Sequence, residues 1–215
     1  AYTSPHMIEY NERIRYDGNP TSDEKICAAF ERIEDVRNGT PLTYFEYGTL
    51  AALIIFKDLE PDVIILEVGL GGRLDAVNII DPTVALIARI GIDHVEYLGN
   101  DRESIGREKA CIMRSGMRAV CSDPNIPASV MDYAKEIGAS LMSLGVDYRY
   151  VDNGETWDWW ATDDQQYLDL IKPNLQGEYQ LQNASGVLRA VTALDQELPV
   201  TRQAVESAFE KISLW

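Results

Sequence analysis

Only two histidines and three cysteines occur among the 215 residues. The cysteines, Cys27, Cys111 and Cys121, are odd in number and form no CxxC pair. They therefore give neither a disulfide framework nor a zinc cluster, and read as reduced thiols of a cytoplasmic protein. No apolar run approaches membrane-spanning length and no signal peptide is visible, so no membrane partner is expected. Basic residues are scarce too: 19 Lys and Arg against 35 Asp and Glu leave a net charge of −16. That balance argues against a nucleic-acid surface. It does not exclude anionic ligands, since phosphates are held by local backbone N–H groups, metals and a few basic side chains. Repeats and low-complexity tracts are absent as well.

What is present is an alternation of helical and apolar β-branched segments. Helices are expected over roughly 21–37, behind a Thr/Ser/Asp cap, and over 45–58, "FEYGTLAALIIFKD". Two short buried strands follow, "DVIILEV" and, after the turn-forming Asp81–Pro82, "TVALIARI". Residues 101–114 predict a helix ended by Ser115–Gly116. "MRAVCS" predicts a strand, and "IPASVMDYAKEIGA" a helix with Pro near its start. Strands separated by helices imply βαβ units, hence an α/β fold with a mainly parallel sheet flanked by helices. Residues 140–170 differ: "YRYV", "WDWWA" and "QYLDL" predict a small antiparallel β element. Helices near 178–195 and 201–211 close the chain, whose length suits one domain with a sizeable core.

Three places carry chemistry. In "DVIILEVGLGGRLDAVN" the apolar strand ends in Glu67 before a loop rich in glycine. Ligands bind beyond the carboxyl ends of parallel strands, so Glu67 reads either as a magnesium carboxylate or as a cap for the following loop. The next strand leads to Asp93–His94, where the histidine can approach the same metal. In "DRESIGREKACIMR", Ile105, Lys109 and Ile112 share a helical face, which turns Lys109 inward. Such a lysine finds an anion, lowers its pKa or is modified, for instance to a carbamate; a solvated lysine beside Arg107 and Glu108 is the plain alternative. His6 reads as structural.

The segments "TSPHMIEYNERIR", "LTYFEYGTLAAL", "ILEVGLGGRLDAVN", "IGIDHVEYLG", "DRESIGREKACIMR" and "GEYQLQNAS" occur in order across residues 3 to about 185. With them the chain resembles the bacterial bifunctional folylpolyglutamate synthase/dihydrofolate synthases of the Mur ligase superfamily. The resemblance implies a P-loop NTPase-like central domain. It implies an ATP-dependent ligase adding L-glutamate to dihydropteroate and to reduced folates through an acyl phosphate, and acting as a monomer. Ser4, Glu67 and His94 match the family's magnesium ligands, and Lys109 matches its carbamylated lysine, so His94 and Lys109 are also the candidate catalytic residues. Thr43, Tyr44, Phe45 and Glu46, with Leu74, Asp75 and Ala76, match the stretches contacting the pterin. There an aromatic can stack and a carboxylate can accept from the amino-pyrimidine edge, while Gly69, Gly71 and Gly72 let the backbone approach. Asn183 matches a residue contacting ATP near its adenine. The plainer roles are core aromatics for Tyr44 and Phe45, a turn for Ser4 and a helix cap for Asn183.

No GxxxxGK[ST] occurs in the sequence. The resemblance places that loop ahead of Ala1 and a Rossmann-like domain after Trp215, so residues 1–215 are expected to be part of the central ATP-binding domain. The chain alone is expected to lack ligase activity and, missing a strand neighbour, to expose apolar edge surface. The competing expectations are a different amino-acid ligase of the superfamily, or a non-catalytic binding protein descended from one.

Overall fold

The computed structural model describes residues 1–175 and 177–212; Gln176 and the closing Ser-Leu-Trp lie outside the description. The chain forms two compact units, residues 1–80 and 81–215.

In the first unit, β1 (Arg15–Tyr16) and β2 (Asn19–Pro20) make a short antiparallel hairpin. Its two turn residues, Asp17 and Gly18, both have positive φ, as tight hairpin turns require. Helix α1 (Asp23–Arg37) buries Ile26, Ala29 and Ile33, a stripe at the 3–4 spacing of one helical face. Helix α2 (Tyr44–Leu59) opens with a reciprocal cap: the Thr43 hydroxyl accepts from the Glu46 N–H at 3.2 Å and the Glu46 carboxylate accepts from the Thr43 N–H at 2.6 Å. Its Ala51, Ala52, Ile55 and Phe56 complete the core with the α1 stripe, Tyr2, Ile14 and Val77.

The buried strand expected at "DVIILEV" is not formed. Leu66 makes one isolated bridge, to Tyr2, and Val63, Ile64 and Ile65 are 52%, 46% and 63% exposed. A parallel strand is buried only when neighbours cover it on both sides. Among the described residues only Tyr2 pairs here: its N–H donates to the Ile65 carbonyl at 2.8 Å, and the Glu67 N–H donates to the Tyr2 carbonyl at 2.9 Å.

In the second unit, β3 (Val84–Ile87), β4 (Arg118–Cys121) and β5 (Ser140–Ser143) form a parallel sheet in that order. Between β3 and β4 lie α3 (Val95–Leu98) and α4 (Arg102–Ala110), and between β4 and β5 lies α5 (Ala128–Ile137). Ile105, Ala110, Val130 and Ala134 pack with Ala85, Ile87, Ala119 and Cys121 in one core. Helix α4 is shorter than expected: after Ala110 the chain tightens into turns, with the Ile112 and Met113 N–H groups bonded three residues back.

Strands β6 (Tyr148–Asp152), β7 (Thr156–Ala161) and β8 (Gln166–Ile171) form an antiparallel sheet. The antiparallel element thus begins at 148 rather than 140, because Ser140–Ser143 pairs in parallel with β4. Trp157 and Trp159 are fully buried, and their indole N–H groups donate to the carbonyls of Ile171 and Ser185 at 3.0 and 3.2 Å. Helices α6 (Gln180–Thr192) and α7 (Arg202–Lys211) cover this core. Gly186 brings α6 close, since a Cβ there would lie 2.8 Å from the Cβ of Ser122.

Candidate active site

The loop after Glu67 is organised by Asp75. Its Oδ2 accepts from the Leu70 N–H at 2.9 Å and its Oδ1 from the Val77 N–H at 3.0 Å. A Cβ at Gly69 would fall 2.8 Å from the Phe45 ring and 3.3 Å from Asp75 Oδ2. The two stretches singled out by resemblance therefore meet at Gly69, a ring on one side and a carboxylate on the other. Phe45 is half-buried against Tyr2, with ring centroids 5.9 Å apart, whereas Tyr44 and Leu74 are exposed. Ala76 starts a 3₁₀ turn. Thr43 and Glu46 spend one oxygen each on the α2 cap, and those backbone and hydroxyl bonds hold the Glu46 carboxyl below its usual pKa.

Glu67 is exposed, contrary to its expected position at the end of a buried strand. It does not cap the loop that follows, a role taken by Asp75. Its Oε2 accepts instead from the Ser4 N–H at 2.8 Å, which brings the two candidate magnesium residues of this unit together. The other Glu67 oxygen and the Ser4 hydroxyl carry no hydrogen bond among the described residues. Hard oxygens of this kind suit magnesium.

A second grouping lies in the same loop. His6 Nδ1 accepts from Arg13 Nε at 2.9 Å. The Arg13 guanidinium carbon sits 5.5 Å from the Tyr10 ring centroid and 5.1 Å from that of Tyr44. Burial pushes the Tyr10 phenol up to about 12, with the neighbouring Tyr2 and Tyr44 adding to the rise.

In the second unit, His94 adopts a left-handed backbone conformation, φ 51°, and opens α3. Asp93 accepts from its N–H at 2.7 Å, and His94 Nε2 lies 3.7 Å from Asp93 Oδ2. Lys109 is half-buried, as its helical face predicts. Desolvation lowers its pKa from 10.5, and the negative charge of Asp93 opposes part of that shift. Asp93 is the residue that reasoning from sequence passed over; its adjacency to His94 in "IDH" was the available signal.

The start of α6 is fixed by Gln182, which is buried and donates to the Ser122 carbonyl at 2.8 Å, just past the end of β4. Asn183 follows on the exposed side. It is not a helix cap, because the N-cap is Tyr179. Nearby in sequence, Tyr179 stacks with Arg89 at 4.2 Å. Among the described residues no group of three or more His, Cys, Asp or Glu side chains is placed to hold a metal, and no helix is long and apolar enough to cross a membrane.

The helix-flanked parallel sheet of the second unit is an α/β arrangement, and the chain belongs to the Mur ligase family, its residues 26–191 matching the Mur ligase middle domain. Within that family it is similar to the dihydrofolate synthase/folylpolyglutamate synthase of Escherichia coli, 49% identical over 157 residues, or 73% of this chain and 37% of the relative. The solved E. coli FolC in complex with DHPP and ADP superposes with a TM-score of 0.93 at 41% identity, covering 99% of this chain and 50% of that one. The bifunctional enzyme of Yersinia pestis, complexed with AMPPNP and Mn ion, superposes at 0.91 and 43% identity, again over 99% and 50%. The chain thus spans half or less of the length of these relatives.

Proposed function

We propose that this chain carries the metal and pterin side of an ATP-dependent ligase that joins L-glutamate to dihydropteroate and to reduced folates. The observation that carries the reading is the coincidence of fold, over 99% of the chain, with an enzyme solved with DHPP and ADP. The local chemistry agrees. Phe45 offers a face for a pterin, and the exposed Tyr44 and Leu74 flank the approach. Asp75 is anchored by two backbone N–H groups, which holds the loop in shape beneath the ligand. Asn183 is free to meet the adenine of ATP.

In the reaction, a carboxylate oxygen attacks the γ-phosphorus of ATP and ADP departs. The amine of glutamate then attacks the acyl phosphate, and the tetrahedral intermediate expels phosphate. Magnesium, when bound, neutralises charge on the phosphoryl oxygens. In the first unit Ser4 and Glu67 would offer oxygen ligands to such an ion; in the second, His94, beside Asp93, would offer a ring nitrogen. Lys109, with its basicity reduced by burial, attacks CO₂ through its neutral amine, loses a proton and becomes a carbamate. It thereby gains a metal-binding carboxylate.

The test is an assay of the full-length protein with dihydropteroate, L-glutamate and ATP. Formation of dihydrofolate with stoichiometric ADP and phosphate is expected. Turnover only with a different amino acid would instead make it another Mur-type ligase, and no ADP with any amino acid would end the ligase reading. The working unit is proposed to be a cytoplasmic monomer that binds no nucleic acid.

A further inference from the structure

Arg13 is 93% removed from solvent, 7% of its surface remaining, in a molecule whose net charge is −16. Arginines that deep are ordinarily paired with a carboxylate. Arg13 has none among the described residues. Its neighbour Glu12 is committed elsewhere, accepting from the Met7, Ile8 and Glu9 N–H groups at 2.7, 3.1 and 2.9 Å. The one side-chain hydrogen bond of Arg13 among the described residues uses Nε and goes to an uncharged acceptor atom, His6 Nδ1. Both terminal amino groups are left without a hydrogen-bond partner among the described residues. Yet neither is sealed off, since the fully enclosed unpartnered atoms of this unit are the hydroxyls of Tyr2, Tyr10 and Thr21.

The guanidinium is also fixed in orientation. His6 holds one edge, and the rings of Tyr10 and Tyr44 stand 5.5 and 5.1 Å away. What remains is a pair of parallel N–H donors, oriented in advance, with an unmatched positive charge. That is the geometry of bidentate carboxylate recognition. Two neighbours place it relative to the site. Tyr44 belongs to the stretch proposed to contact the pterin, and His6 lies two residues beyond Ser4.

We infer that Arg13 is a substrate-binding residue whose two terminal amino groups receive a carboxylate of the pterin substrate. The inference rests on the ligase reading above. Two carboxylates have the right chemistry: the benzoate carboxylate of dihydropteroate and the glutamyl carboxylates of a reduced folate. In either case the loss of Arg13 removes affinity that depends on the carboxylate and leaves the pterin's own contacts intact.

The experiment is isothermal titration of the full-length protein with three ligands: dihydropteroate, the same compound lacking its carboxyl group, and tetrahydrofolate. Wild type is expected to prefer dihydropteroate over its decarboxylated counterpart by roughly tenfold or more. Arg13→Met is expected to abolish that preference while binding the decarboxylated compound as wild type does. If Arg13→Met weakens tetrahydrofolate alone, the recognised group is glutamyl. The inference is overturned if Arg13→Met weakens all three ligands alike, for then Arg13 only supports Tyr44, and the ligase reading stands. It is also overturned, without any variant, if wild type binds the two pteroate compounds equally and tetrahydrofolate no better. Failure of wild type to bind any of the three removes the ligase reading itself, and this inference with it.

Discussion

Burial acts on Lys109 in the direction that the proposed carbamate needs. Desolvation lowers its pKa from 10.5 while Asp93 pulls the other way. The sign follows directly: as pH falls through the lowered pKa the amine is protonated, the lone pair is lost and carbamate cannot form. Lys109→Arg, which stays charged at any working pH, is expected to cut turnover of the full-length enzyme by about a hundredfold, and the mass of one added CO₂ should disappear from native mass spectra. Retained turnover would refute the carbamate. Gly69 makes a second prediction at this scale. A methyl group there would sit 2.8 Å from the Phe45 ring, so Gly69→Ala should cost roughly 1–3 kcal/mol by overpacking, read by denaturant unfolding. It should also weaken pterin binding, because the ring that must move is the proposed stacking face.

At the scale of elements, helix starts are held by side chains acting over short distances. Thr43→Ala removes half of the α2 box and should destabilise the first unit by about 1 kcal/mol. Glu103 performs the same service for a different helix, accepting from the Ala128 and Ser129 N–H groups at 3.1 and 2.7 Å as α5 begins. Those bonds depress the Glu103 carboxyl below its ordinary 4.5. A depressed folded-state pKa gives stability that is present above the unfolded value and is lost as pH falls through the folded one. Urea midpoints of wild type should therefore fall more steeply below about pH 4 than those of Glu103→Gln; parallel curves would show that the cap contributes nothing. Deeper in the fold, Asp123 accepts from the Ile90 and Asn125 N–H groups and from Arg102, at 2.7, 2.8 and 2.7 Å. Asp123→Ala takes the acceptor from the Ile90 and Asn125 N–H groups and the counter-charge from Arg102, which keeps only the Ile90 and Asn125 carbonyls, and should cost about 3 kcal/mol.

For the molecule as a whole, the notable surface is the strip Val63, Ile64 and Ile65, paired only by Tyr2 among the described residues. A long apolar edge of this kind recruits another strand. The 215-residue chain is expected to self-associate, and Ile65→Lys should raise the monomer fraction in sedimentation velocity. Equal association of the two forms would mean the strip is not the contact. The acidic total, by contrast, argues against a nucleic-acid surface.

The sequence by itself determined most elements, because helices and strands obey local periods. The stripes of α1 and α2, the parallel strands β3 and β4, and the half-buried face carrying Lys109 were all legible in it. So was the family, through motifs long enough to be specific. Tertiary structure decided what depends on neighbours distant in the chain. "DVIILEV" has every local mark of a buried strand, yet burial needs a partner on each side, and Tyr2 alone does not provide it. Ser140–Ser143 joined the parallel sheet because β4 offered it an edge, which its own residues do not reveal. The loop cap that the sequence offered to Glu67 fell to Asp75, because the Ser4 N–H came to the first and the loop N–H groups to the second. The same holds for Arg13 and His6: a charge without a counter-ion is a property of everything around it, and only the folded chain shows what is missing.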